Sequence, residues 1–84
     1  MAELNSLQNI GKEYERKLKS VGIATAEELK EIGSEEAFLR VKLRYENVCL
    51  VHLYALEGAV TDMKYNQLSE DTKKRLKAFH DKLK

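Results

Sequence analysis

Residues 7–33 read LQNIGKEYERKLKSVGIATAEELKEIG and place glycines at Gly11, Gly22 and Gly33, eleven residues apart each time. Glycine costs about 1 kcal/mol relative to alanine inside a helix, so each of the three is expected between helices rather than within one. The turn at Gly11 has a possible functional meaning as well. A glycine followed at once by a helix start can bring unpaired backbone N–H groups close to a phosphate.

Two short helices are predicted within this stretch. Apolar residues at helical spacing indicate a first helix over residues 12–20, which is ended by Gly22. Thr25 and Glu28 have the spacing of a capping box, in which each side chain accepts from the backbone N–H of the other residue. The second helix is therefore expected to begin after Thr25 and to end at Gly33.

Three further helices are predicted downstream. Ser34 is placed to cap the third helix and Ser69 the last, while Asn47 marks a break. Segment 48–59 is apolar nearly all round, which is typical of a buried central helix, and residues 61–67 are expected to form a loop. The positions expected to face inward are Ala37, Phe38, Val41 and Tyr45 in the third helix and Thr72, Leu76, Phe79 and Leu83 in the last.

The composition supports an all-α fold in one small domain. Proline is absent, and no strand-like alternation of useful length competes with the helical pattern. A chain of 84 residues has room for a single core, so we predict one domain over residues 1–84 with about five short helices and with residues 1–6 flexible.

The charge balance limits the classes of partner. Fifteen basic side chains oppose fourteen acidic ones, a formal net charge of +1. This balance argues against strong non-specific binding of nucleic acid, although it is compatible with a local basic patch. Residues 73–84 carry six basic side chains against one acidic, Asp81, and these complement the negative end of their own helix.

Other sequence features indicate a cytoplasmic protein with no membrane partner. The single cysteine, Cys49, excludes an intramolecular disulfide and favours a reducing compartment. The N-terminus lacks the basic start and apolar run of a signal peptide. The longest apolar stretch, VCLVHLYALEGAV, is too short to span a membrane.

The turn before the first helix is a candidate for contact with a nucleic-acid backbone. It would point several N–H groups outward, where the helix dipole adds partial positive charge. Three cations at i, i+4 and i+7 lie opposite the apolar face and would flank a bound phosphate, unless they form only a solvated surface. The candidate residues are Asn9, Ile10, Gly11, Lys12, Arg16 and Lys19.

Residues 7–33 resemble a helix-hairpin-helix unit, in which a hairpin with an apolar residue between two glycines contacts DNA phosphates without reading sequence. The stretch is also similar to part of the C-terminal domain of the bacterial RNA polymerase alpha subunit. Here Asn9 takes the place of the first glycine, before Ile10 and Gly11. Asparagine tolerates a left-handed backbone, so the turn is expected to persist, with the amide in the path of an approaching phosphate.

A second resemblance covers most of the chain. Four ordered motifs resemble the C-terminal domain of the TfoX/Sxy competence regulators: NIG at 9–11, VGIATAEEL at 21–29, LYALEGAVTD at 53–62 and YNQLS at 65–69. The resemblance implies an all-α, helix-hairpin-helix-like or SAM-like bundle. It also implies a role connected with competence or transcription regulation in bacteria.

Two further groups of residues are given structural roles. Cys49 and His52 share a helical face, but a tetrahedral zinc site needs two more ligands, so we predict core or boundary residues without metal or cofactor. Glu57 is expected to be a structural anchor with Lys64, the Tyr65 hydroxyl or a hairpin N–H as its partner. Gly58 is expected to let another backbone approach closely, so the predicted anchor residues are Glu57, Gly58 and Tyr65.

Two functional hypotheses stay open. The first is a non-enzymatic regulatory module that contacts double-stranded DNA weakly, without sequence preference, through residues 9–12. The second is a protein–protein interaction or dimerisation domain that binds a regulatory protein or itself and does not bind DNA. Gly11 and the basic stripe favour the first, while Asn9 and the near-neutral charge favour the second. No enzyme and no small-molecule substrate is predicted, because the sequence lacks a nucleophile–base pair and a cluster of acids.

Overall fold

The computed structural model describes residues 3–83, which form five α-helices and two short 3₁₀ segments. The helices are α1 (Lys12–Ser20), α2 (Ala26–Ile32), α3 (Ser34–Arg44), α4 (Leu50–Thr61) and α5 (Glu70–Lys82), and the 3₁₀ segments are Leu4–Ser6 and Tyr65–Gln67. No strand occurs among the described residues. The prediction of an all-α fold with five short helices is confirmed.

Capping side chains begin α2 and α5 as the sequence indicates. Thr25 and Ser69 each accept a hydrogen bond from the backbone N–H three residues on, at 3.2 and 3.1 Å. Ser34 does not cap α3: it is the first residue of the helix, and its hydroxyl donates to Glu57 instead. Gly33 takes the cap position with φ of 89°, a left-handed conformation that suits a residue without a Cβ.

Helix α4 lies at the centre of the fold, where it packs against α3, α5 and the second 3₁₀ segment. This central position agrees with the apolar composition of α4. No helix among residues 3–83 is long and apolar enough to cross a membrane. Of the predicted inward positions, Tyr45, Thr72, Phe79 and Leu83 are only half-buried, at the edge of the core. The largest fully buried side chains are Leu4, Leu18, Ile23, Leu29, Phe38, Val41, Leu53, Leu56 and Leu76.

The segment before α1 is part of the fold. Leu4 is fully buried, and the 3₁₀ turn that carries it contacts α1 and α2. Its side chain covers apolar surface that these two short helices would otherwise expose. This differs from the flexible segment expected over residues 1–6, of which residues 1 and 2 lie outside the described part of the chain.

Candidate nucleic-acid interface

The turn before α1 has the backbone conformation that the sequence predicts. Asn9 has φ of 69°, in the left-handed region, and Ile10 is 4% exposed in the core. Gly11 is the exposed N-cap residue of α1. Asparagine is one of the few residues that tolerate the left-handed region, so it can occupy a position where the hairpin pattern has glycine.

The Asn9 side chain is directed into the protein. Its Nδ2 donates to the carbonyl oxygens of Ala55 and Met63 at 3.3 and 2.9 Å. Its Oδ1 accepts from the N–H of Tyr65 at 3.1 Å. The three bonds connect the turn to α4 and to the loop that follows α4. The amide therefore does not stand in the path to the turn, contrary to the expectation from sequence.

Gly58 provides the space that this arrangement needs. A Cβ on Gly58 would collide with Nδ2 of Asn9 and with the carbonyl oxygen of Met63. The Met63 N–H also donates to the Gly58 carbonyl at 2.7 Å. The absence of a side chain at Gly58 is thus required by the close approach of a loop backbone and of the Asn9 amide.

Gly11, in contrast, is not required by the fold. Its φ of −88° is open to any residue, and a Cβ there would meet no atom of residues 3–83 within 4 Å. No side chain of residues 3–83 caps α1, and the first helical hydrogen bond runs from the Glu15 N–H to the Gly11 carbonyl at 2.9 Å. The N–H groups of residues 12–14 are therefore available to an acceptor outside the described chain, either water or an anion.

The predicted basic stripe is exposed on α1, but much of its charge is balanced. Arg16 pairs with Glu13, and Lys19 Nζ lies 3.9 Å from a carboxylate oxygen of Glu15. Lys12 forms no ion pair with the residues that the structure describes. The local excess of positive charge is small, so a phosphate contact at this turn should be weak and sensitive to salt.

An open cleft of about 430 Å³ lies beside the turn, between α1, α4 and the second 3₁₀ segment, and we name it the α1–α4 cleft. Its walls include Gly11, Tyr14 and Ala55. Two apolar side chains of its lining are unusually exposed, Val51 at 52% and Tyr65 at 45%. Exposed apolar groups around a concave surface are typical of a binding site.

Cys49 and His52 form the start of α4. His52 Nδ1 accepts from the Cys49 N–H at 3.0 Å, and Cys49 Sγ lies 3.4 Å from the same nitrogen. Cys49 is exposed, not in the core as predicted, because it precedes the helix and lies outside its buried face. Residues 3–83 contain no group of three or more side chains placed to hold a metal ion.

The protein should lose stability through His52 as the pH falls below about 6.5. Burial lowers the pKa of His52, the charge of Lys17 adds to this, and Nδ1 accepts the Cys49 N–H only when unprotonated. The folded-state pKa lies below the unfolded value, so the folded form binds fewer protons. The contribution of neutral His52 to the free energy of unfolding is complete above the pKa of the unfolded state. It is lost as the pH falls through the pKa of His52 in the folded state. Urea midpoints between about pH 5 and pH 8 would measure it.

His52→Gln is the matched control for this pH dependence. Glutamine at the third helical position can also accept from the N-cap N–H but does not titrate. The variant should lose less stability on acidification than the wild type. Identical pH profiles for the two proteins would contradict the role given to His52.

Glu57 joins three helices. Ser34 Oγ donates to one carboxylate oxygen at 2.6 Å, and the Arg75 guanidinium donates to the other at 3.1 Å. The Glu57 side chain is only 14% exposed, so both bonds compensate the burial of its charge. The partners differ from the Lys64, Tyr65 hydroxyl or hairpin N–H suggested by the sequence, because α3 and α5 bring Ser34 and Arg75 to the site.

Lys17 is a residue of this region that sequence reasoning did not single out. It lines the α1–α4 cleft, and its Nζ lies 5.3 Å from the centroid of the Tyr45 ring. The sequence could have indicated Lys17 as a site residue only by its position next to Arg16, beside the basic stripe. The contact with Tyr45 depends on the tertiary packing of α1 and α3 and has no local signature.

The comparisons with known proteins give one family match and two similar crystal structures. The model of the TfoX C-terminal domain matches residues 1–80. A triclinic crystal structure of an uncharacterized protein from Listeria monocytogenes is 49% identical with a TM-score of 0.95, covering 98% of this chain and 93% of that one. A tetragonal crystal structure of a protein of unknown function from the same organism is 48% identical with a TM-score of 0.94, covering 98% and 100%. No curated protein matches the chain significantly.

Proposed function

This chain belongs to the TfoX C-terminal domain family, and we propose that it is a non-enzymatic regulatory module that contacts the backbone of double-stranded DNA. The contact is made by the turn at residues 9–12, in the cytoplasm of a bacterium, as part of competence or transcription regulation. The observation that carries the proposal is the inward orientation of the Asn9 amide, which leaves Gly11 and the start of α1 open.

The geometry of the turn supports contact with a phosphate. The backbone of Gly11 is unstrained, and among the described residues no neighbouring atom would exclude a side chain there. Contact with a group outside the chain therefore gives a reason for a glycine at this position. The N–H groups of residues 12–14 are aligned with the positive end of the α1 dipole, the arrangement by which helix starts hold phosphates.

The charges around the turn predict weak binding without sequence preference. Lys12 adds positive charge at the start of α1, while Glu13 and Glu15 offset Arg16 and Lys19. The turn offers backbone donors to phosphate oxygens, and such contacts position a protein on DNA without reading its bases. Affinity should therefore fall as salt rises, with a shallow slope because few cations neutralise phosphates here.

Gly11→Glu should abolish DNA binding and leave the helical fold intact. The new carboxylate would lie where the phosphate approaches, while the ordinary φ and the open space accept the side chain. The measurement is a titration of backbone amide NMR shifts with a short mixed-sequence duplex, at low and at physiological salt. In the wild type, shifts should include residues 9–16 and should fade as salt rises.

Ala78→Glu on the exposed side of α5 is the matched control, since it changes the net charge by the same amount. It should bind DNA almost as the wild type does. Equal shifts in Gly11→Glu and wild type would rule out the contact at the turn. No shift in the wild type even at low salt would favour a protein partner instead, and the α1–α4 cleft is then the first surface to examine.

A further inference from the structure

Polar side chains of α1 and α3 meet where the two helices end, and we name this group the Tyr45 corner: Arg16, Lys17, Ser20, Arg44 and Tyr45. The Tyr45 hydroxyl lies 2.9 Å from Ser20 Oγ. Lys17 Nζ lies 5.3 Å, and Arg44 Cζ 5.9 Å, from the centroid of the Tyr45 ring. Two hydroxyls and two cations thus share one small surface.

The Tyr45 corner carries positive charge that neighbouring carboxylates do not fully balance. Among the described residues, neither Lys17 nor Arg44 forms an ion pair with a carboxylate. The hydrogen bond with Ser20 and the neighbouring Arg44 lower the pKa of Tyr45, and Arg16 acts in the same direction. The two cations beside the ring give this surface an excess of positive charge, which favours a bound anion.

The helix dipoles explain part of this arrangement. Cations in the last turn stabilise the negative end of a helix, and this accounts for Lys17 and Arg44 separately. The dipoles do not explain why Lys17 and Arg44 both lie next to the ring of Tyr45, whose hydroxyl is hydrogen-bonded to Ser20. A phosphate at this point would accept two parallel bonds from the guanidinium of Arg44 and one from the ammonium of Lys17. The two hydroxyls fix the position of the ring instead, since Ser20 Oγ donates to the Lys17 carbonyl at 2.6 Å and is bonded to the Tyr45 hydroxyl.

We infer that the Tyr45 corner binds a second phosphate of the DNA backbone. This inference rests on the proposed function and adds a contact at the opposite end of α1. The helix has nine residues, so its ends lie about 13 Å apart at 1.5 Å per residue. DNA carries phosphates at short regular intervals and can reach both ends of α1 at once, whereas a single carboxylate cannot.

The test compares two double variants in duplex binding, followed by fluorescence anisotropy at several salt concentrations. Lys17→Gln with Arg44→Gln should lower the affinity roughly tenfold and reduce the slope of log affinity against log salt by about 1 to 2. Lys73→Gln with Lys74→Gln is the matched control, because it removes the same charge from α5. The control should change both quantities little, and thermal melting should show that both variants fold.

The outcomes separate this inference from the contact at the turn. One result is that the double variant of Lys17 and Arg44 binds with unchanged affinity and salt slope while Gly11→Glu loses binding. That result would reject the phosphate contact at the Tyr45 corner and support the contact at the turn. Inorganic phosphate provides a second probe, through the amide shifts of Ser20 and Tyr45. Shifts with inorganic phosphate but no duplex binding would assign the corner to free phosphate and overturn the backbone contact. No response to either probe would also overturn it.

Discussion

Gly58→Ala should lower the free energy of unfolding by about 2 kcal/mol, and Gly58→Val by more. In an ordinary helix interior the same change to alanine would raise stability by about 1 kcal/mol. At Gly58 the new methyl group would occupy the space of Asn9 Nδ2 and of the Met63 carbonyl oxygen. The carbonyl belongs to the main chain and cannot rotate away, so the loop after α4 must move. That movement also weakens the hydrogen bond from Asn9.

Urea unfolding followed by circular dichroism would measure the effect, with Gly11→Ala as the matched control. The two variants make the same chemical change, but a Cβ on Gly11 meets no atom of the described part of the chain within 4 Å. The control should stay within about 0.5 kcal/mol of the wild type. If Gly58→Ala proved as stable as the wild type, the close packing of Asn9, Gly58 and Met63 would be refuted.

Local signals in the sequence were sufficient for the helices. Thr25 and Ser69 begin α2 and α5 because a capping hydroxyl acts within one turn, and Gly22 and Gly33 follow α1 and α2 at positive φ. The apolar content of α4 likewise predicted its central position. Each of these features depends on residues only a few positions apart, which is the range that periodicity and capping patterns describe.

The candidate site was predicted less completely because its contacts are long-range. Asn9 and Met63 are 54 residues apart, and no local pattern shows that their atoms meet across Gly58. Ser34 illustrates the same limit. Its sequence context suits an N-cap, but tertiary packing offers its hydroxyl the carboxylate of Glu57. A short side chain at a helix start can satisfy either role, and the fold decides between them.

The exposure of apolar residues in the α1–α4 cleft was not predicted from the sequence. Val51 lies in a segment so apolar that burial was expected on every side, yet it is among the most exposed large hydrophobic residues described. Even the central helix of an 84-residue domain is not covered all round, since the small core offers too few neighbours. The turn contributes Asn9 and Gly11 to the lining of the cleft, and Tyr65, which also lines the cleft, is hydrogen-bonded to Asn9. A ligand bound to one surface would therefore affect the other.

The substitution of Asn9 should separate stability from DNA contact. Asn9→Ala loses three hydrogen bonds and also forces alanine into the left-handed region, which costs about 1–2 kcal/mol by itself. We expect a total loss of about 3 kcal/mol, since the outer hydrogen-bonding groups can be rehydrated. Asn9→Gly keeps the backbone conformation and loses only the bonds, so it should cost about 1–2 kcal/mol. Urea midpoints of the two variants would measure the difference.

The same pair of variants tests whether the Asn9 amide contacts the DNA phosphate or only supports the turn from inside the protein. Asn9→Gly recreates the two-glycine hairpin pattern, and the amide that it removes is bonded inside the protein. Below its unfolding temperature, the folded variant should therefore bind a short duplex about as well as the wild type. Loss of binding in the folded variant would mean that the amide itself holds the phosphate. Equal stability of Asn9→Ala and Asn9→Gly would show that the left-handed backbone at Asn9 is not maintained.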